Sequence, residues 1–299
     1  MNWIDEIRDA GAGRVEEAAR LDRLTTLRVG GPAEALLHLE DPGRLPAALA
    51  VLARRGVPWR FLGNGSNVMV RDGGVDGAVI LMTALRDFAS EGETVTVGAG
   101  LSLIGLVQAG HRQGLLGMEW ASGIPGSVGG AIVMNAGAHG HDTAEFLEAA
   151  LIVETGEPEA HWVEGAQLAY SYRHSRLQSE ESGVLAGRFR LRQGDAAEGR
   201  RLLRAFLLDR KAKQPSGNNA GSMFKNPPGD YAGRLIEAAG GKGHHEGGAE
   251  ISTLHGNFFL NTGTATARDV LRLVDWAREA VRKSSGRELE LEVEVWGEG

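Results

Sequence analysis

A chain of 299 residues is long enough for two or three packed lobes, and 42% apolar with 24% charged residues is ordinary for a globular protein. The formal net charge of −7, with both signs interspersed and no long basic run, argues against nucleic acid as the main partner but leaves room for local anion pockets. Without a cysteine the chain has no disulfide frame, thiol nucleophile, cysteine-based metal site or cysteinyl-flavin bond. The start, MNWIDEIRDAGAG, lacks the basic-then-apolar order of a signal peptide. No apolar run approaches the ~18 residues of a membrane span, so a cytoplasmic location is expected. The unusual feature is glycine: 44 residues, about twice the usual ~7%, gathered near 63–77, 98–100, 114–140, 217–221 and 240–248. Clustered glycine marks positive-φ turns or close backbone approach, and several clusters suggest a large ligand held by backbone amides.

In chain order, AEALLHLE (33–40) reads as a strand, 42–56 as a helix stopped by Gly56, and VPWRFL (57–62) as a second strand. A glycine-rich turn leads into VMV and GAVILM, and strands alternating with a helix indicate an α/β unit. TVTVGAG is a strand entering the helical LSLIGLVQAGHRQG, and strands are expected near 146–153 and 184–192. A helix over about 195–212 places Leu202, Leu203, Phe206 and Leu207 inward, and its charged end DRKAKQPSGNNAG looks like the main boundary. Beyond it come a short helix at 230–239, strands near 250 and 257–261, and an amphipathic helix at 266–282. Thr266 and Asp269 have capping-box spacing at the start of that last helix. In the closing ELELEVEVWGEG, Leu289, Leu291, Val293 and Val295 alternate with Glu290, Glu292 and Glu294, so the carboxylates share one face of a strand over about 288–297.

Four segments carry candidate chemistry. GNGSNV (63–68) departs from the dinucleotide fingerprint at Val68, and the strand-like VMV after it offers no helix N-terminus for a pyrophosphate. Gly63, Gly65, Ser66 and Asn67 form either a structural turn or a nest of amides for a phosphate. SGIPGSVGGAIVMNAG (122–137) has a Pro125-Gly126 turn, Gly129-Gly130 before an apolar run, and small polar donors at Ser122, Ser127 and Asn135. It suits diphosphate binding at a helix N-terminus, or else a tight buried turn. AGSMFKNP (220–227) sets Ser222 near Lys225 and Asn226, and YSYRHS (170–175) sets Arg173 where it can bind a carboxylate bidentately or sit at the surface. The histidines lack a zinc-like ligand set, and His139, His141, His244 and His245 read as surface residues.

In this order the segments resemble the UDP-N-acetylenolpyruvoylglucosamine reductase family, also called UDP-N-acetylmuramate dehydrogenases. The resemblance runs from TTLRVGGPA (25–33) through FLGNGSNVMVRDGG, EWASGIPGSVGGAIVMNAGAHG, YRHS, AGSMFKNP and GRLIEAAGGKG to HGNFFLN and LELEVEVWG. It implies an α/β and α+β fold: a two-lobed FAD-binding region of the vanillyl-alcohol-oxidase type over 1–195 (lobes of about 1–80 and 81–195), then a C-terminal α+β substrate-binding domain over 196–299. The last strand is expected to return toward the FAD lobe.

The resemblance also implies non-covalent FAD, reduced by NADPH, that reduces the enolpyruvyl group of a UDP-sugar to UDP-N-acetylmuramate, a peptidoglycan precursor. A monomer acting without nucleic acid or membrane is expected. Carried over residue by residue, Ser222 is the proton donor, and Arg173 and Glu292 polarise the enolpyruvyl carboxylate. Glu290 and Glu294, flanking Glu292, would favour the protonated form an acid requires. FAD contacts fall to Gly63, Asn64, Gly65, Ser66 and Asn67, and to Ser122, Gly123, Ile124, Pro125, Gly126, Ser127 and Gly130. Substrate contacts fall to Tyr172, Lys213, Asn226 and His255, with Lys213 at the diphosphate; no metal is implied. Two departures stand out. No tyrosine lies between Arg173 and Ser222, as in the family's shorter form, and Gly241 stands where a leucine is expected. Another oxidoreductase on the same FAD scaffold, or a flavin-binding protein without catalysis, would not need Arg173, Ser222 and Glu292 together.

Overall fold

Alternating strands and helices in the first third build a mixed sheet with helices packed on it. The computed structural model describes residues 2–154, 157, 159–179 and 182–298. Its helices are α1 (Trp3–Asp9), α2 (Leu45–Arg55), α3 (Leu103–Arg112), α4 (Val128–Met134), α5 (Ala196–Lys213), α6 (Ala232–Ala238) and α7 (Ala267–Ser285). Among the described residues no helix is long and apolar enough to cross a membrane. By packing, the chain divides into Met1–Ala18, Ala35–Asn64 and Gly77–Leu208 as one unit, and Ala19–Glu34, Gly65–Asp76 and Asp209–Gly299 as another. This division is discontinuous, whereas the sequence predicts a main boundary at 195/196 and two lobes meeting near 80/81 before it. Its last crossing falls inside α5, where the charged DRKAK stretch begins.

The first unit holds two sheets. In one, the strands Gly13–Arg20, Pro32–Leu39, Val75–Leu81 and Trp59–Leu62 lie side by side in that order, with Trp59–Leu62 parallel to its neighbour. Gly56 closes α2 in the left-handed conformation, as its place after the last apolar turn predicts. Leu37, Leu39, Leu45, Leu52 and Ile80 bury the contact between this sheet and its helices. The second sheet is antiparallel, in the order His161–Glu164, Leu147–Glu154, Ser182–Arg190, Thr94–Gly98, Phe88–Glu91. Its core, including Val97, Leu106, Ile132, Ile152 and Phe189, takes in residues of α3 and α4.

The second unit is built around α7. Val270, Leu273, Val274, Ala277 and Val281 are buried, the helical period the sequence predicts, and they share a core with Leu27, Met69, Phe224 and Phe259. Thr266 and Asp269 form the expected capping box. Asp72 adds to it, because its carboxylate accepts hydrogen bonds from the amides of Ala267 (2.8 Å) and Arg268 (3.0 Å), which have no partner within the helix.

Three expectations are corrected. In α5 the inward line is Gly199, Leu203 and Phe206; Leu207, one residue round the helix, is 36% exposed. His244 is not a surface residue but stacks on Trp276, with ring centroids 4.0 Å apart. The regular closing strand is only Glu294–Trp296, parallel to Val68–Val70, because residues 290–292 bond to a different neighbour.

The same Trp276 accounts for Gly241. A Cβ there would stand 2.5 Å from Ile236 Cγ2 and 3.2 Å from the Trp276 ring, so the space a leucine would take is already filled. Gly241→Leu should therefore cost about 1–3 kcal/mol through overpacking. Adding Trp276→Ala should recover part of that loss in thermal or denaturant unfolding, whereas strictly additive losses would contradict the packing account.

Candidate active site

Two glycines in the candidate turns leave no room for a side chain. In the first unit, a Cβ on Gly63 would collide with Ser127 Oγ, and Asn64 Nδ2 donates to the Pro125 carbonyl at 3.3 Å. Ser122, 5% exposed, lies in a short 3-10 turn (Glu119–Gly123) and donates its hydroxyl to the Glu119 carbonyl at 2.7 Å. The Glu119 carboxylate is itself buried. It meets His111 Nε2 at 2.9 Å and accepts from the Gly117 amide at 3.0 Å, so the turn is anchored from below.

At the N-terminus of α4, where a diphosphate is expected, the first amides are engaged within the protein. The amides of Val128 and Gly129 donate to the carbonyls of Leu101 and Ala99, and the Gly130 amide donates to Ser127 Oγ. Asn135, expected to be a donor to ligand, is 1% exposed and bonded entirely within the protein. Gly123, Ile124 and Gly126 are half-buried, and Pro125 and Gly130 exposed.

In the second unit, Gly65 adopts φ 61°, and a Cβ on it would run into the Leu24 carbonyl. The Gly65 carbonyl accepts from the Thr26 amide at 3.0 Å. Thr25 beside it is 4% exposed, and its hydroxyl has no hydrogen-bond partner among the described residues. Asn67 leads into the strand Val68–Val70, not a helix, so the Rossmann arrangement is absent from this segment. Within the first unit, the turn at Gly63, too tight for a Cβ, and the small polar side chains of Asn64, Ser122 and Ser127 fit a cofactor held by backbone and hydroxyl groups, as FAD would be.

Ser222 and Glu292 both lie in the second unit, on segments that bond directly to each other. The Glu292 amide donates to the Met223 carbonyl and the Lys225 amide to the Glu290 carbonyl, each at 2.9 Å. On its far side, the Ser222 segment is held by Asn257. Asn257 Oδ1 accepts from the Phe224 amide (2.9 Å), its Nδ2 donates to the Phe224 carbonyl (2.7 Å), and its own carbonyl accepts from the Met223 amide (2.8 Å). Asn257 thus serves as a strand partner made partly of side chain. The Glu292 backbone is also gripped by the Gly65–Asn67 turn, where Asn67 Nδ2 donates to its carbonyl at 3.0 Å and the Asn67 carbonyl accepts from the Glu294 amide.

The charge pattern on the closing segment differs from the one the sequence predicts. Glu290 pairs with Lys225 Nζ at 2.7 Å, and Glu294 accepts from Trp296 Nε1 at 3.0 Å. A cation beside Glu290 offsets the repulsion that three adjacent carboxylates would impose, so the flanking pair does not act as a simple like-charge cluster on Glu292.

In the first unit, Arg173 sits at the tip of a turn closed by reciprocal backbone bonds between Ser171 and His174, both 3.1 Å. Its φ of 54° is unusual for a residue with a side chain, its Nη2 donates to the Gly137 carbonyl at 2.7 Å, and its guanidinium lies 5.1 Å from the Tyr172 ring. Tyr172 is exposed. In the second unit, Asn226 Oδ1 accepts from the Ala232 amide at the start of α6 (3.1 Å), and the exposed Lys213 pairs with Asp209 at 2.7 Å. His255 is half-buried against Phe258, and burial pushes its pKa below the usual histidine value. Its Nδ1 accepts from the Asn257 amide, which favours the neutral ring.

Sequence reasoning missed Thr25, Asn257 and Asn261. Asn261 donates to the carbonyls of Leu27 and Arg28 and accepts from the amides of Gly263 and Ala265, tying the TTLRVGG loop to the C-terminal sheet. The available signal was a pair of asparagines inside the apolar HGNFFLN, where a buried amide must find partners.

Comparison with known proteins agrees with this geometry. The model of the FAD binding domain matches residues 33–157, and that of the UDP-N-acetylenolpyruvoylglucosamine reductase C-terminal domain matches 212–296. UDP-N-acetylenolpyruvoylglucosamine reductase 2 of Symbiobacterium thermophilum is 44% identical over 97% of this chain and 94% of its own. The Bacillus subtilis reductase is 41% identical over 98% of each. The crystal structure of the reductase from Thermus caldophilus shares 40% identity at a TM-score of 0.82, over 95% of this chain and 99% of that one. Physcomitrella patens BBE-like 1 shares only the fold, at 16% identity and a TM-score of 0.50 over 64% of this chain and 45% of its own. With relatives of this identity spanning nearly its whole length, and with an FAD binding domain joined to the reductase C-terminal domain, the chain belongs to the UDP-N-acetylenolpyruvoylglucosamine reductase family.

Proposed function

We propose that this chain reduces the enolpyruvyl group of UDP-N-acetylenolpyruvoylglucosamine to UDP-N-acetylmuramate, in peptidoglycan precursor synthesis, with Ser222, Arg173 and Glu292 as the catalytic groups. The observation that carries the residue assignment is the direct backbone pairing of the Ser222 and Glu292 segments. FAD, when bound and reduced by NADPH, would supply hydride to one carbon of the enolpyruvyl double bond. Enolate-like charge then develops on the neighbouring carbon and on the carboxylate. Arg173, always protonated and held by Gly137, binds that carboxylate. Glu292 polarises it further, and the Ser222 hydroxyl delivers the proton to the carbanionic carbon.

Gly63, Asn64, Gly65, Ser66 and Asn67, with Ser122 to Ser127 and Gly130, are the residues proposed to hold FAD. Because the first amides of α4 are already used, diphosphate contacts in the second segment fall to the residues before that helix. Lys213 meets the substrate diphosphate by exchanging its Asp209 partner for phosphate. Tyr172, Asn226 and the neutral His255 contact the rest of the substrate. In this reading residues 1–195 serve the flavin and 196–299 most of the substrate, with Tyr172 and Arg173 of the first region also assigned to the substrate. The substrate and NADPH are both charged nucleotides that do not cross membranes unaided, which supports a cytoplasmic enzyme; we further propose a monomer that works without nucleic acid.

Ser222→Ala should leave the bleaching of the flavin by NADPH intact, since that hydride transfer needs no proton from Ser222. Reoxidation by the enolpyruvyl substrate should slow by about 10²–10⁴-fold in stopped-flow absorbance. Turnover within a fewfold of the unsubstituted enzyme would remove Ser222 from the role of acid. Asn257→Ala acts differently. It strands the buried amide and carbonyl of Phe224, at about 1–3 kcal/mol per group, and should lower the melting temperature as well as the substrate half-reaction. A variant with unchanged stability would show that the side-chain pairing is not needed to hold the Ser222 segment.

A further inference from the structure

Asn135 ends α4 in the left-handed conformation, φ 45° and ψ 55°, and its side chain is fully engaged. Nδ2 donates to the Ser171 carbonyl at 3.0 Å and to Asp142 Oδ2 at 3.2 Å, and Oδ1 accepts from the Ala144 amide at 3.0 Å. The Ser171 carbonyl also accepts the His174 amide that closes the turn carrying Arg173. The same end of α4 holds that turn at other points. Ser175 Oγ donates to the Val133 carbonyl at 2.6 Å, and Gln178 Nε2 donates to the carbonyls of Val133 (3.3 Å) and of Arg173 itself (3.1 Å). The Gly137 carbonyl, two residues past Asn135, accepts from the guanidinium. A non-glycine residue at φ 54° persists only where its surroundings over-determine it, and these bonds supply that determination.

We infer that Asn135 is a positioning residue for Arg173: the C-terminal cap of α4 sets the turn on which the substrate-binding guanidinium is presented. Its replacement frees the turn to leave the left-handed conformation and misplaces the guanidinium, while the Ser127 end of the helix is undisturbed. The inference rests on the assignment of Arg173 to the enolpyruvyl carboxylate.

The test is a double-mutant cycle on the FAD-loaded enzyme with Asn135→Gly, Arg173→Ala and the pair. Glycine removes every side-chain bond but keeps the left-handed backbone. Asn135→Gly alone should lower kcat/KM for the UDP-sugar at least tenfold, mainly through KM. The rate of flavin reduction by NADPH and the dissociation constant of FAD, from flavin fluorescence, should stay within about threefold. In the Arg173→Ala background the same change should cost less than twofold, because groups acting through one another are not additive. Equal losses in both backgrounds, or a loss that tracks FAD release, would overturn the positioning role while leaving Arg173 in place. If Arg173→Ala alone leaves the substrate half-reaction intact, the assignment of Arg173 fails and the positioning role falls with it. Gln178→Leu, which loosens the same turn from its other side, is run in parallel and should show the same non-additivity. If neither Asn135→Gly nor Gln178→Leu yields folded holoenzyme, these side chains serve the fold as a whole and the inference is overturned.

Discussion

Much of the second unit depends on one constraint: the segment Ser222–Lys225 must be paired along both edges while Met223 and Phe224 are fully buried. A buried backbone cannot leave its amides and carbonyls unmet, so each edge needs a partner. One edge is filled by Asn257, which supplies side-chain and main-chain groups together. The other is filled by Glu290–Glu292 from the closing residues of the chain. The proposed acid and the proposed polarising carboxylate are therefore fixed by the same bonds that complete the core, and neither can shift without exposing or stranding Phe224.

The closing segment then changes partner. After Glu292 it runs parallel to Val68–Val70, with Asn67 bonded to the backbone on both sides of the switch. A segment that bonds in one direction for three residues and in another for the next three does not form one regular strand. This explains why the alternating LELEVEVW pattern overstates both strand length and burial: Leu289 and Val293 are buried and Glu290 is exposed beside Lys225, but Leu291 and Val295 are half-buried like Glu292 and Glu294.

Legibility in the sequence tracks the range of the interaction. Local signals were clear: Gly56 stops α2, and Thr266 with Asp269 opens α7. The α5 face was read one residue too wide, because Leu207 fits the apolar pattern but the helix docks along Gly199, Leu203 and Phe206. The candidate site was legible as motifs, and its roles came through family resemblance rather than from the residues alone. The asparagines were hidden. Asn257 reaches Phe224 across 33 positions, Asn135 reaches Ser171 across 36, and Asn261 reaches Leu27 across 234. An amide side chain carries no periodic signal, and its partners are known only once the chain has folded.

In the proposed function, the closing residues bring Glu292 into the chemistry as well as finishing a sheet. The most direct measurement is single-turnover reoxidation of the NADPH-reduced flavin by the enolpyruvyl substrate in Glu292→Gln, a neutral side chain of the same shape that keeps the backbone bonds. Flavin reduction should be normal and thermal stability unchanged, with reoxidation slowed by at least about a hundredfold. Reoxidation within a fewfold of the unsubstituted enzyme would contradict it and leave the three glutamates as a solvated face of a structural segment.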